Sequence, residues 1–316
     1  MYGLHPFYRT QDRVFRPQRA RDHFFSGTPG NEAGMCAELS RLVYIEDKAY
    51  VARKLAEQGL KLIDEHEVDG ADSFLIEGDD RVYLVFRGTE SRDYRDIVRD
   101  ATVWPVQWRG MGRVHKGFAE GLDGLWPHLQ PQLDKIKKPL VIAGHSLGGA
   151  YATLASVLAP QHRAVYSFGA PKVGCEDFAT HVKHKRHFRY VGCADLVPRL
   201  MSDTIFPYRH VGQLRYIDRF GRIAANPPEA VIRKDQMAAR WEYLKALRDV
   251  TRYAPAREFA DHGPINYSTA ALGVRRQPLR EGDPPPMERR RSVITLPGVE
   301  NGSAVTESRN IKVGPA

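Results

Sequence analysis

Cysteine is scarce in this chain. Cys36, Cys175 and Cys193 are the only three among 316 residues, and none stands in a CxxC spacing. An odd count without that spacing supports neither a disulfide framework nor a zinc site, and it suits a reducing compartment. Long apolar runs are missing too: no stretch approaches the roughly 20 residues that a membrane-spanning helix needs. The first twenty residues, MYGLHPFYRTQDRVFRPQRA, are Arg-rich, broken by prolines and without an apolar centre, so they do not read as a secretory leader. The expected location is cytoplasmic, with export by a route that reads no leader as the alternative.

What is present fits a globular protein with one sizeable core. Hydrophobic residues make up 42% and charged residues 27%, which excludes a collagenous or wholly disordered chain. A formal charge of +9 favours anionic surfaces. The cations are spread along the sequence, and no nucleic-acid-binding fingerprint accompanies them. Nucleic acid is therefore not expected as a partner, and peripheral contact with anionic membrane is the better match. A plainly solvated basic surface is the alternative, and no protein partner is indicated.

Along the chain, residues 1–30 read as an irregular arm. The domain spans 31–272, and the tail 273–316, with its proline and arginine triplets and few large apolar residues, reads as disordered. Two helices come first, with Met35, Leu39, Leu42 and Val43 on one face of the first, and a second from about 47 to 58. SFLIEG (73–78) and RVYLVFRG (81–88) suggest a hairpin around Asp79 and Asp80. From about residue 115, helices near 117–136 and 147–159, and another before 187, alternate with strands at 139–144, 164–169 and 187–192. The pattern predicts an α/β fold, a mainly parallel sheet with helices on both faces. RHVGQLRYID (209–218) adds an edge strand, and residues 228–250 form a long helix with Met237, Trp241 and Leu244 on one face.

The strongest chemical signal is GHSLGG at 144–149, with G-x-S-x-G spacing centred on Ser146. The bare pattern arises by chance in roughly one chain in ten of this length. Here an apolar strand precedes it and the stripe Leu147, Tyr151, Leu154 and Leu158 follows, the strand–turn–helix setting that a nucleophile elbow requires. A serine hydroxyl needs a base, an orienting acid and an oxyanion hole to attack at neutral pH. In this arrangement the acid and then the base follow the serine. Asp195 directly follows the strand at 187–192, at the carboxyl edge where parallel sheets carry their sites, and is favoured over Asp203. His262 lies in a loop after the long helix and is favoured over His210, which falls in a strand-like run. His115 and His145 read as supports for the site's loops.

With these blocks VFRGTES (85–91), VHKGF (114–118), GHSLGG, FGAPKVG (168–174), ADLVPRL around Asp195 and the DH…NY segment around His262, the chain resembles the fungal-type class 3 lipases over about residues 36–272. The resemblance implies an α/β-hydrolase fold with Ser146, Asp195 and His262 as triad. It also implies backbone N–H groups of Thr89 and Leu147 as the oxyanion hole. The activity implied is hydrolysis of lipid or other carboxylic esters without metal or cofactor, with a membrane-damaging phospholipase effector or a small-ester esterase as alternatives. It further implies that RDYRDIVRDA (92–101) is the lid, unusually charged for the family, with an ordinary surface helix as the alternative; Trp104 and Trp108 would line an acyl groove or pack beneath the loop. The basic helix before His262, with Arg233, Lys234, Arg240, Lys245 and Arg248, could rest on anionic lipid or pack as an ordinary surface helix. His181, His184 and His187 have metal-like spacing, but the interleaved Lys183, Lys185 and Arg186 oppose a divalent ion.

Overall fold

The computed structural model describes residues 24–25, 29–89, 104–182, 186–201, 207–246, 258 and 261–273. The arm before residue 24, the lid candidate at 92–101, Asp203, His184 and the tail beyond 273 lie outside them. In chain order, helices α1 (Glu32–Leu42) and α2 (Lys48–Ala56) precede β1 (Lys61–Val68), β2 (Ala71–Glu77) and β3 (Val82–Phe86). Strands β4 (Pro105–Gln107) and β5 (Arg113–His115) lead into α3 (Lys116–Leu133), β6 (Leu140–His145), α4 (Leu147–Leu158) and β7 (Ala164–Phe168). Then follow β8 (Gly174–Cys175), α5 (Glu176–Val182), β9 (His187–Gly192), β10 (Tyr208–Arg209) and β11 (Gln213–Ile217). The last described elements are β12 (Ile223–Ala225), α6 (Glu229–Ala246) and α7 (Pro264–Ala271).

The main sheet has the order β1-β2-β3-β6-β7-β9-β11-β12. Its centre, β3 through β11, is parallel, while β1, β2 and β12 add antiparallel margins. Central strands such as VYLVF and AVYSF are buried on both faces, as a parallel sheet covered by helices requires. Alternate side chains divide the core in two. Leu84, Phe86, Ile142 and Val165 face α3 and α4, with Leu122, Leu125 and Leu154 packed against them. Tyr83, Val85, Val141 and Tyr166 face α1, α2 and α7, against Leu39, Leu42 and Ala270. Phe24 and Phe25 are buried in that second layer, so the end of the N-terminal arm is part of the core.

Helix starts follow local chemistry. Asn31 accepts from the Gly34 N–H and Asp47 from the Tyr50 N–H, each satisfying a donor that the first turn leaves unpaired. The strand expected over 209–218 is two strands. Gly212, at φ +82, turns the chain between them, so β10 joins a small antiparallel sheet with β8, β5 and β4 while β11 joins the main one. The sheet's margin on that side is β12.

Cys36 is buried on the inner side of α1, Cys175 in β8, and Cys193 beyond the end of β9; none is disulfide-bonded. No helix among the described residues is long and apolar enough to cross a membrane.

Candidate active site

The chain leaves β6 through His145 and turns at Ser146 with φ 56 and ψ −125, a left-handed conformation that costs an L-residue energy. Glycine is required on either side of this turn. A Cβ on Gly144 would overlap the carbonyl of Gly148, and one on Gly148 would overlap the carbonyl of Phe86 at the end of β3. Crowding of this kind presses β3, β6 and α4 together around the serine. It also brings Gly88 beside it, where an added Cβ would lie 3.1 Å from the Ser146 Cβ. Thr89 therefore follows directly on a residue touching the elbow, and Leu147 opens α4, whose first N–H groups have no partner within the helix.

Ser146, Asp195 and His262 meet although 116 residues separate the first from the last. Ser146 Oγ lies 2.9 Å from His262 Nε2. On the other side of the ring, Nδ1 is 2.9 Å from Asp195 Oδ2 and 3.1 Å from Oδ1. A carboxylate only accepts, so Nδ1 carries the proton and Nε2 presents its lone pair to the serine O–H. All three side chains are buried.

Each member is held by further bonds. Asp195 Oδ1 accepts the Val197 N–H at 2.9 Å, and Tyr267 donates its O–H to Oδ2 while accepting the Gly192 N–H at 3.0 Å. Burial and the adjoining Asp195 charge push the Tyr267 phenol well above its ordinary pKa, so it stays a donor. Arg199 clasps the carbonyls of Ala194 and Asp195, and Asp261 accepts the Ala194 N–H at 3.0 Å, linking the Asp195 loop to the His262 loop.

His145 supports the His262 loop, in line with its reading as a support for the site's loops. Its Nε2 is 2.7 Å from the His262 carbonyl and must donate there, which leaves Nδ1 to accept the Tyr44 O–H at 2.9 Å. Burial, with the His262 ring beside it, holds its pKa well below the ordinary value, so the imidazole is neutral. His115 caps α3, its Nδ1 accepting the Phe118 N–H at 3.4 Å.

His210 does not approach the serine. It lines a small separate cavity with Thr153, Ser167, Lys172, His187 and Arg189. Desolvation of its ring and the charges of Arg189 and Lys172 push its pKa far down. His187 is buried with Nε2 3.1 Å from Ser167 Oγ, and among the described residues no cluster of His, Cys, Asp or Glu could hold a metal. Trp108 packs in the core against Phe178, with its indole N–H on Asp123, while Trp104 is exposed.

Tyr44, Asp261 and Tyr267 went unassigned in the sequence. Tyr267 stands in the NY pair after His262, which marks it only as part of a motif. Tyr44 and His145 are 101 residues apart, and nothing local connects them.

Residues 83–205 match the family model for lipase (class 3). Over 167 residues the chain is 31% identical to the lipase of Rhizomucor miehei, an alignment covering 48% of this chain and 44% of that protein. It is 35% identical over 123 residues to Toxin TseL of Vibrio cholerae, covering 35% of this chain and 19% of the toxin. The chain thus spans less than half the length of these curated relatives. Among solved structures, the lipase from Rhizopus microsporus var. chinensis has the same fold, with a TM-score of 0.50 at 22% identity over 66% of this chain and 76% of that one. The strained serine turn, the Asp195 and His262 loops and the matched segment coincide: residues 83–205 are similar to the class 3 lipase family, on an α/β-hydrolase fold.

Proposed function

We propose that the chain is a serine carboxylic-ester hydrolase acting on lipids, as a triacylglycerol or phospholipid acyl hydrolase. The observation that carries this reading is the 2.9 Å contact of Ser146 Oγ with a ring nitrogen of His262 whose other nitrogen rests on Asp195. His262 takes the serine proton as Oγ attacks the ester carbonyl, and Asp195 stabilises the imidazolium formed. The Thr89 and Leu147 N–H groups receive the oxyanion, each worth about 3 kcal/mol of the barrier. The imidazolium then protonates the leaving alcohol. Water, deprotonated by His262, attacks the acyl-serine and frees the acid, which restores every group. The +9 charge favours peripheral contact with anionic membrane, and hence phospholipid over neutral triacylglycerol.

A fluorophosphonate probe is expected to modify Ser146 alone, read by peptide mass spectrometry; no adduct, or one on another serine, rejects the assignment. Fatty-acid release from phosphatidylglycerol vesicles, triolein emulsion and p-nitrophenyl esters then ranks the substrates. Faster triolein hydrolysis would remove the phospholipid preference, and turnover of only the soluble esters would make the chain an esterase.

A second reading, a membrane-damaging phospholipase effector, is supported by the similarity to Toxin TseL. It predicts that placing the chain in the periplasm of a test bacterium stops growth while the Ser146→Ala variant does not; unaffected growth with active protein would reject it.

A further inference from the structure

Helix α6 (Glu229–Ala246) is an amphipathic helix with its two sides reversed in part. Its inner side is held mainly by small and polar groups. Ala239 and Ile232 pack on Cys193, Leu214 and Tyr216, while Asp235 accepts the Tyr216 O–H at 2.9 Å, the Arg219 N–H at 3.0 Å and the Arg219 guanidinium at 2.6 Å. The outer side carries the large apolar groups. Met237, Trp241 and Leu244, at i, i+4 and i+7, are 59%, 63% and 52% exposed. Water does not favour three such side chains in one row, and exposed apolar patches of this kind mark interaction surfaces.

Charge is sorted along the same lines. Arg233, Lys234 and Arg240 are exposed and lie on the flanks of the apolar row. Arg233 faces Glu229 at 3.6 Å and Arg240 faces Glu258 at 3.5 Å, long contacts with half or more of each arginine in solvent. The helix's other carboxylates are engaged elsewhere: Asp235 points inward, and Glu242 accepts from Arg219 at 2.9 Å. An apolar row flanked by cations is the pattern of a helix lying in the headgroup layer, where Trp seats its ring at the boundary and Lys or Arg meets phosphate.

We propose that the outer face of α6 docks on anionic phospholipid bilayer, with Met237, Trp241 and Leu244 entering the acyl boundary and Arg233, Lys234 and Arg240 in the headgroups. The inference rests on the lipid reading of the active site and names the surface that meets the lipid. The docked helix is continuous with the catalytic loops. It packs on Cys193, two residues before Asp195, and its Arg240 pairs with Glu258, four residues before His262. Attachment therefore fixes the loops of acid and base relative to the membrane.

The test uses the full chain carrying Ser146→Ala, so that binding is read without hydrolysis and a failure of docking stays distinct from a failure of catalysis. Co-sedimentation with phosphatidylcholine vesicles and with mixed phosphatidylcholine–phosphatidylglycerol vesicles is compared at low salt and at about 0.5 M salt, where the Debye length falls to a few Å. Binding is expected only with phosphatidylglycerol and weakened at least tenfold by salt. Two triple variants, M237S/W241S/L244S and R233Q/K234Q/R240Q, should each lose at least tenfold in partitioning. In the Ser146 enzyme both should keep the turnover of soluble p-nitrophenyl esters. A second readout needs no folding assumption about the triple variants: brominated acyl chains should quench tryptophan emission in the parent and not in Trp241→Phe. Equal binding to both vesicles, binding that survives both triple variants, or quenching that persists in Trp241→Phe overturns the proposal. So does a dimer in solution that the apolar variant dissolves, since a second copy would then be the occupant.

Discussion

Replacing Asp195 by Asn changes a proton's address more than a shape. An amide facing Nδ1 can donate to it, which favours the His262 tautomer with its proton on Nε2, where the base must be free. Asp195→Asn and His262→Ala are each expected to lower kcat by roughly 10³–10⁴ with folding retained, checked by steady-state kinetics beside thermal melts. His210→Ala should cost far less; if it is the crippling change, the base has been misassigned. Tyr267→Phe belongs to a different kind of change. It removes one donor to Asp195 and leaves the buried Gly192 N–H without its partner, so about 1–3 kcal/mol of stability should be lost. Its kcat should fall by less than that of Asp195→Asn, because the carboxylate and its hold on Nδ1 remain. A Tyr267→Phe enzyme as stable as the parent would show that the Gly192 N–H finds another acceptor. That Asp195 and His262 gather at Ser146 was legible from chain order and loop placement. Their supports were not, because Tyr44, His145 and the His262 carbonyl meet only through tertiary structure.

At the scale of elements, the serine elbow sets a sharp test. Gly148→Ala drives a methyl into the Phe86 carbonyl, so β3 or α4 must shift. A loss of at least about 1–3 kcal/mol is expected, as for other overpacked sites, together with most activity. Gly30→Ala is the control. Nothing lies within 4 Å of its would-be Cβ, and the change should fall within about 0.5 kcal/mol in urea denaturation. Equal effects at the two positions would contradict the account of crowding at the elbow. Most strands and helices could be placed from the sequence, since buried parallel strands are unbroken apolar runs between helical stripes. β1 could not. KLIDEHEV is an edge strand whose residues are exposed or half-buried, and charge of this kind guards an edge against stray pairing while erasing the period-two signal. The apolar row of α6 marks the limit of spacing as a signal: Met237, Trp241 and Leu244 recur as a core face would, and they point to solvent. Spacing identifies a face and says nothing of what it meets.

For the whole molecule, three histidines shape the response to acid. Burial lowers the pKa of His187 to about 3, and that of His145 and His210 well below the usual value. In the unfolded chain each would titrate near 6.5, so below that pH the unfolded state binds more protons than the folded one. Their neutral burial thus costs nothing above about pH 6.5, and stability is lost as pH falls from there towards the folded values. For His187 at pH 4.5, two pH units of mismatch correspond to about 3 kcal/mol. Melts at pH 7.5, 5.5 and 4.5 should show Tm falling steadily. His187→Gln, which offers Ser167 an amide in place of the ring, should flatten that slope; an unchanged slope would remove His187 from the explanation.

The same burial extends to the thiols. Cys36 lies on the core side of α1, Cys175 within the small sheet, and Cys193 beneath α6 beside the Asp195 loop. Desolvation raises the Cys36 and Cys175 pKa, so neither offers an alkylating reagent much thiolate in the closed fold. Each thiol must wait until its own neighbourhood opens, which makes the trio three clocks built into separate parts of one molecule. Timed alkylation, read cysteine by cysteine, would return an opening free energy for each part. If α6 is the side that lies on lipid, vesicles should slow the Cys193 clock and leave the other two running at their own pace.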